Sequence, residues 1–193
     1  ISAHSFIEDV LVKKIKAKYC YVGDDFRFGK DRLGDCNMLQ EHSIGHGFTV
    51  ERVAGVSIDN KRVSSSAIRK LLSSGDFQTA EKLLGRPFAI SGRVAHGDKQ
   101  GRTIGFPTAN ISIRRKLSPV LGVFSVLIRI NNITYKGVCN VGKRPTLGGL
   151  KVLLEVFIFD FNQEIYGSRV NVFFKQKCRE EIKFNSFEEL KNQ

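Results

Sequence analysis

The sequence predicts an α/β segment followed by a mostly antiparallel β domain that closes as a small barrel. Up to Gly85, apolar residues recur at helical spacing behind capping residues; beyond Pro87 they alternate with a period of two. The domain boundary is expected at that change, giving residues 1–85 and 86–193. With 193 residues and 41% hydrophobic content, the chain can bury a core in each part.

The elements follow in order. Phe6, Ile7, Val10 and Leu11 predict a first helix, with Ser5 and Glu8 as its capping box. Tyr19-Cys20-Tyr21-Val22 reads as a strand running into GDDFRFGK, a polar loop at a strand end where open α/β sheets hold ligands. His42-Ser43-Ile44-Gly45-His46 is expected to be a turn before a strand over 48–56. Ser64 or Ser65 caps a helix with Ala67, Ile68, Leu71 and Leu72 as its stripe. After Ser73-Ser74-Gly75, Asp76 caps a second helix, buried through Phe77, Ala80, Leu83 and Leu84 and stopped by Gly85 and Pro87. Strands are then expected in GVFSVLIRI, ITYKGVCNVG, KVLLEVFIFDF and EIYGSRVNVFF, with turns at Asn131-Asn132 and Asn162-Gln163. Ser186 and Glu189 form a capping box for a last helix.

The formal charge of +12 points to an anionic partner. The basic residues are dispersed, with no run of five and no aromatic RNP-like pattern, which favours a nucleotide site over nucleic acid. Cys20, Cys36, Cys139 and Cys178 form no C-x-x-C pair and read as reduced thiols. No apolar run approaches the roughly 20 residues of a bilayer span, so no membrane is involved and the expected location is cytoplasmic. The chain starts at Ile1, without Met, and is expected to be a fragment or a processed chain.

Two features carry chemistry. The first is GRTIGFPTAN, from Gly101 to Asn110, which ends a glycine-studded basic loop and opens a strand. Thr108 and Asn110 stand two apart and project to the same side. A hydroxyl and an amide oxygen side by side suit Mg²⁺ and phosphate oxygens. The segment does not match the P-loop pattern, and its glycines serve equally as turn residues. The small Ala109 between them is a poor choice for core packing. The second feature is Glu155, which interrupts the apolar face formed by Leu153, Phe157 and Phe159. A carboxylate in such a strand loses hydration unless it is paired or faces a ligand. Burial of that kind raises a carboxylate's pKa toward the range of a general base. The alternatives are an ion pair with Arg129 or Arg169 on a neighbouring strand and a position at a leaky barrel edge.

The ordered series GRVAHGDKQGRTIGFPTAN, LGVFSV, CNVGKRPTLGG, LLEVFIFDF, IYGSRVNVFF and KCREEIKFNSFEEL resembles the riboflavin kinase module of the prokaryotic bifunctional riboflavin kinase/FMN adenylyltransferases, or FAD synthetases. YVGDDFRFGK and VSSSAIRKLL resemble the later part of that family's adenylyltransferase domain. The resemblance covers almost the whole chain. It implies a C-terminal part of a Rossmann-like nucleotidyltransferase domain over 1–85, then a Greek-key barrel with a C-terminal helix over 86–193. It implies ATP-dependent phosphorylation of riboflavin to FMN, with Mg²⁺ as cofactor. Thr108 and Asn110 would hold Mg²⁺ and the ATP phosphates, and Gly97, Gly101, Arg102 and Gly105 would wrap the nucleotide. Glu155 would be the catalytic base. Arg179, Glu181 and Phe184 would close over the flavin. In the first half, Ser65, Ser66 and Arg69 fall on the family's phosphate-contacting motif, and Asp24, Asp25 and Phe26 would line the flavin side of the adenylylation site.

There are departures. Ser66 stands where the family usually has threonine, and Phe157 where many relatives have histidine. The family's G-x-F-D-x-x-H-x-G-H segment does not occur in these residues, and His42 to His46 imitates it only superficially. FAD synthesis is therefore expected of the intact protein and not of this chain alone. Two rival readings are a flavin- or nucleotide-binding module without catalysis and an RNA-binding β-barrel.

Overall fold

The computed structural model describes residues 1–95, 108–113, 118–146 and 149–182, with backbone alone for 144–146 and 149–151. The expected C-terminal helix at Ser186 lies outside these residues. Two compact units are present, Ile1–Val63 and Ser64–Gln193.

In the first unit, helix α1 (Ala3–Ser5) runs on as a π-helical stretch, Phe6–Ile15. Its cap is Ser2, whose hydroxyl accepts from the Ser5 N–H; Ser5 caps nothing, so the expected Ser5/Glu8 capping box does not form. Strand β1 (Tyr19–Gly23) pairs in parallel with β4 (Thr49–Val53), which is shorter than 48–56 and runs only as far as its pairing with β1, from Tyr19–Thr49 to Gly23–Val53. Between them, β2 (Arg27–Phe28) and β3 (Gly34–Asp35) pair antiparallel, and helix α2 (Cys36–His46) follows. Asp35 caps α2 through the Met38 N–H at 2.9 Å. The segment 42–46, expected to be a turn, is the last turn of this helix, which stops only at Gly47 with φ 68°. Ala3, Ile7, Phe28, Leu39 and Phe48 make the small core. A short antiparallel ribbon, β5 (Ser57–Ile58) with β6 (Lys61–Arg62), ends the unit.

The second unit begins with helices α3 (Ser65–Ser74) and α4 (Phe77–Leu84), capped by Ser64 and Asp76 as expected. Strands β7 (Ala89–Ala95), β8 (Thr108–Ser112), β9 (Gly122–Ile130), β10 (Ile133–Thr146), β11 (Gly149–Ile158) and β12 (Arg169–Arg179) close an antiparallel barrel in the order β10-β11-β8-β7-β12-β9. The Asn131-Asn132 turn is a tight hairpin with both residues at positive φ, the geometry that follows the twist of paired strands. The turn expected at Asn162-Gln163 does not join a hairpin: β12 crosses to pair with β7 and β9 instead of β11.

Strict alternation builds the interior. Phe124, Val126, Ile128 and Ile130 on β9 point inward with Val152, Leu154, Val156 and Ile158 on β11 and Val170, Val172 and Phe174 on β12. Each such side chain fully withdrawn from water stabilises the fold by about 1.5–3 kcal/mol. Leu72, Phe77 and Ala80 join the same core, and Phe77 packs against Phe88, Phe124 and Phe174 with centroids 5.7–6.4 Å apart. The compact units thus part ahead of α3, whereas the period changes at Gly85 to Pro87. The reason is physical: the apolar stripes of α3 and α4 are buried against the barrel.

Candidate active site

On β8, Ile111 points into the barrel and Ala109 packs against the core, so Thr108 and Asn110 face outward together. Ala109 is therefore small because it packs, contrary to the sequence expectation. On β11, buried Leu154 and Val156 alternate with half-buried Leu153, Glu155 and Phe157. The register brings the two strands' outward residues side by side: Asn110 opposes Glu155 and Thr108 opposes Phe157. Directly opposed residues hold their Cβ atoms about 4.5–5.5 Å apart. Two polar oxygens from one strand and a carboxylate from the next share one outer patch.

Glu155 is less deeply withdrawn than its apolar strand suggests, because it lies on the barrel's outer face; no charged residue is fully buried among the described residues. The alternative ion pairs also fall away. Arg129 is on β9, with its guanidinium 5.0 Å from the Phe173 ring centroid, and Arg169 is on β12; neither strand adjoins β11.

On its other side Glu155 opposes Asn140 of β10. Asn140 was not singled out by the sequence, because a polar residue between inward-facing Cys139 and Val141 is what the alternation of a barrel strand leads one to expect. Its Oδ1 is shielded from solvent and accepts no hydrogen bond among the described residues. A buried acceptor without a donor costs about 1–3 kcal/mol, so it is a feature to be explained by what meets it. Beside it, burial, and secondarily the Cys178 thiol, push the Cys139 thiol far above its ordinary range, leaving it protonated and inert.

The row continues around the barrel. Asn140 opposes Val123, and Val123 opposes Arg179. The Arg179 guanidinium donates to the Glu180 carbonyl at 3.1 Å. Glu181 folds over Gly142, where a methyl group would stand 3.0 Å from its Cδ. Asn110, Glu155, Asn140, Val123 and Arg179 thus follow one another on successive strands around the barrel, with Glu181 beside Gly142 of β10. Gly97, Gly101, Arg102, Gly105 and Phe184 lie outside the described residues.

The candidates of the first half divide between the units. In the first, Asp24 and Asp25 both take the Arg62 guanidinium, at 2.7 and 3.0 Å, and Phe26 stacks on Phe28 at 5.5 Å. In the second, Ser65, Ser66 and Arg69 are exposed on the first turns of α3, whose capping hydroxyl comes from Ser64 at 3.2 Å from the Ala67 nitrogen.

A family model described as Riboflavin kinase matches residues 84–193, and one described as FAD synthetase matches residues 1–67. Among curated proteins, the bifunctional riboflavin kinase/FMN adenylyltransferase of Haemophilus influenzae is 51% identical over 192 residues, covering 99% of this chain and 62% of that protein. The protein of the same description from Escherichia coli K12 is 45% identical over 194 residues, with 100% and 62% covered. This chain therefore spans about 62% of the length of the relatives it matches. Among solved structures, that of a macrolide-efflux protein from Streptococcus pneumoniae superposes with a TM-score of 0.68 at 35% identity, covering 100% of this chain and 62% of that one. No helix of the described residues is long and apolar enough to cross a membrane.

Proposed function

Since the chain belongs to the riboflavin kinase family, we propose that its barrel transfers the γ-phosphoryl group of ATP to the ribityl 5′-hydroxyl of riboflavin, yielding FMN and ADP. The observation that carries this is the lateral row Asn110–Glu155–Asn140, with Thr108 beside it on the same outer face. Glu155 takes the hydroxyl proton as that oxygen attacks the γ-phosphorus; the bond between that phosphorus and the bridging β–γ oxygen breaks, and ADP leaves. The shielded Oδ1 of Asn140 suits a substrate hydroxyl as hydrogen-bond donor, which orients the nucleophile toward Glu155. The donor set fits Mg²⁺, a hard cation that takes oxygen ligands: the Thr108 hydroxyl and the Asn110 amide oxygen would hold it. When bound, Mg²⁺ neutralises charge on the β- and γ-phosphates. Gly97, Gly101, Arg102 and Gly105 would wrap the nucleotide, and Arg179, Glu181 and Phe184 would close over the flavin.

The modules of this reading are an adenylyltransferase part, 1–85, and a kinase part, 86–193, supported by family models that stop at 67 and resume at 84. Asp24, Asp25, Phe26, Ser65, Ser66 and Arg69 are proposed to serve FMN adenylylation in the intact protein. The test is direct: chain incubated with riboflavin, ATP and Mg²⁺ should release FMN and ADP in equal amounts, read by chromatography. Saturable quenching of riboflavin fluorescence with no ADP formed would leave a binding module, and tight, salt-sensitive RNA binding without turnover the RNA reading.

A further inference from the structure

Three of the chain's four histidines meet in the first unit, on the two helical segments that pack its core. His4 lies in α1 and Glu8 four residues on, in the π-helical stretch. His42 and His46 occupy the last turns of α2, again four residues apart. The ligating atoms of His4, Glu8 and His42 all fall within 4.8 Å of one another. The His4 and His42 rings meet edge to face at 4.9 Å.

We propose that His4, Glu8 and His42 form a binding site for a first-row divalent transition metal, with Zn²⁺ as the ion that best fits the donor set. Two imidazoles and one carboxylate, with a fourth position open to water, are an established tetrahedral zinc set. Zn–N and Zn–O bonds of about 2.0–2.2 Å put tetrahedral donors about 3.4 Å apart. The present separations, within 4.8 Å, are near this spacing, and His4 is exposed.

An outer layer is already built. The His46 Nε2 lies 2.8 Å from Glu8 Oε1 and its Nδ1 lies 2.8 Å from the His42 carbonyl. His46 thereby fixes the carboxylate against the helix that carries the His42 ligand, the arrangement by which outer partners orient metal ligands. The backbone beneath is fixed as well: Ile7 and Leu39 are buried between the two segments, and Gly47 ends α2 directly after His46. Imidazole selects Zn²⁺, Cu²⁺ and Ni²⁺ over Mg²⁺, which prefers oxygen-only ligands. The site is therefore separable from any Mg²⁺ that serves phosphoryl transfer.

The experiment uses the full 193-residue chain without a histidine tag. Zinc titration by calorimetry should show one saturable site, with a melting temperature raised by Zn²⁺ and not by equal Mg²⁺. X-ray absorption at the zinc edge should show only N/O neighbours near 2.0–2.2 Å and no sulfur near 2.3 Å. His42→Gln and Glu8→Gln should abolish the site, and His46→Gln should weaken it about 10–100-fold as an outer partner. His4→Gln, at an exposed position, should abolish it too. Zinc bound equally well by His4→Gln, sulfur in the coordination shell, or no saturable binding by the unaltered chain would each overturn the proposal.

Discussion

Glu155→Gln separates proton transfer from every other property of the row. Glutamine keeps the length and shape of the side chain between Asn110 and Asn140 and retains an oxygen acceptor, but it cannot take a proton from a hydroxyl. Positioned general bases contribute about 10²–10⁴-fold, which corresponds to about 2.7–5.4 kcal/mol of activation free energy. Because Glu155 lies half-buried on the outer face, no core contact is removed, and unfolding free energy should fall by no more than the worth of one hydrogen bond, roughly 0.5–1.5 kcal/mol. The expected pattern is a kcat lowered by two to four decades, a KM for ATP within a factor of about three, and a denaturation midpoint close to the parent's. Steady-state FMN formation and urea unfolding on the same preparation decide it. Glu155→Asp is the companion: it keeps the base but withdraws it by about one carbon–carbon bond, and misplacement of about 1 Å can cost 10²-fold. A kcat for Glu155→Gln within twofold of the parent would refute the assignment. So would a fall in kcat matched by a comparable fall in stability, because the defect would then be structural.

Other substitutions test the frame around it. Phe124→Ala removes a fully buried ring that touches Phe77 and Phe174, and should lower the unfolding free energy of the second unit by about 3–5 kcal/mol in urea. Gly142→Ala introduces a methyl group against the Glu181 carboxylate, a flexible side-chain end that can swing away. Its melting temperature should hold within a few degrees, while the KM for riboflavin rises severalfold if Glu181 helps to hold the flavin. Asp35→Ala removes the α2 cap. The Met38 N–H, and secondarily Arg27, hold the Asp35 carboxyl below the usual carboxylate range. Its stabilising contribution is then complete above the ordinary aspartate value and lost as pH falls through the lower folded value. The melting-temperature gap between parent and Asp35→Ala should be flat above about pH 5 and close on acidification below about pH 4.

Local chemistry was readable wherever it is written in local residues. Ser64, Gly75, Asp76 and Gly85 mark both ends of α3 and α4, and the structure uses each of them as a cap. The alternation in β11 grouped Glu155 with Leu153 and Phe157 on one face, but with both faces apolar it told neither which face points outward nor how deep Glu155 lies. Helix α2 escaped because its residues are mostly polar: only Cys36 and Leu39 are buried, so no stripe reveals it. The crossing of β12 to β7 and β9 escaped because strand partners are chosen by the closing of the barrel and leave no trace in the period of one strand. Asn140 escaped for the same reason, since its meaning lies in the residue it faces. Glu8 was read as a capping partner; its bond to His46 depends on a helix the sequence did not disclose.

The packing of α3 and α4 bears on how such a module can be inherited. A gene split at the change of sequence character, Gly85, would deliver a barrel stripped of Leu72, Phe77 and Ala80, with Phe88, Phe124 and Phe174 left facing water. A split ahead of Ser64 keeps that aromatic seam closed. The smallest portable folding unit is therefore larger than the stretch of alternating sequence that marks it, and a free-standing descendant has to carry the helical pair along or replace it with another apolar cover.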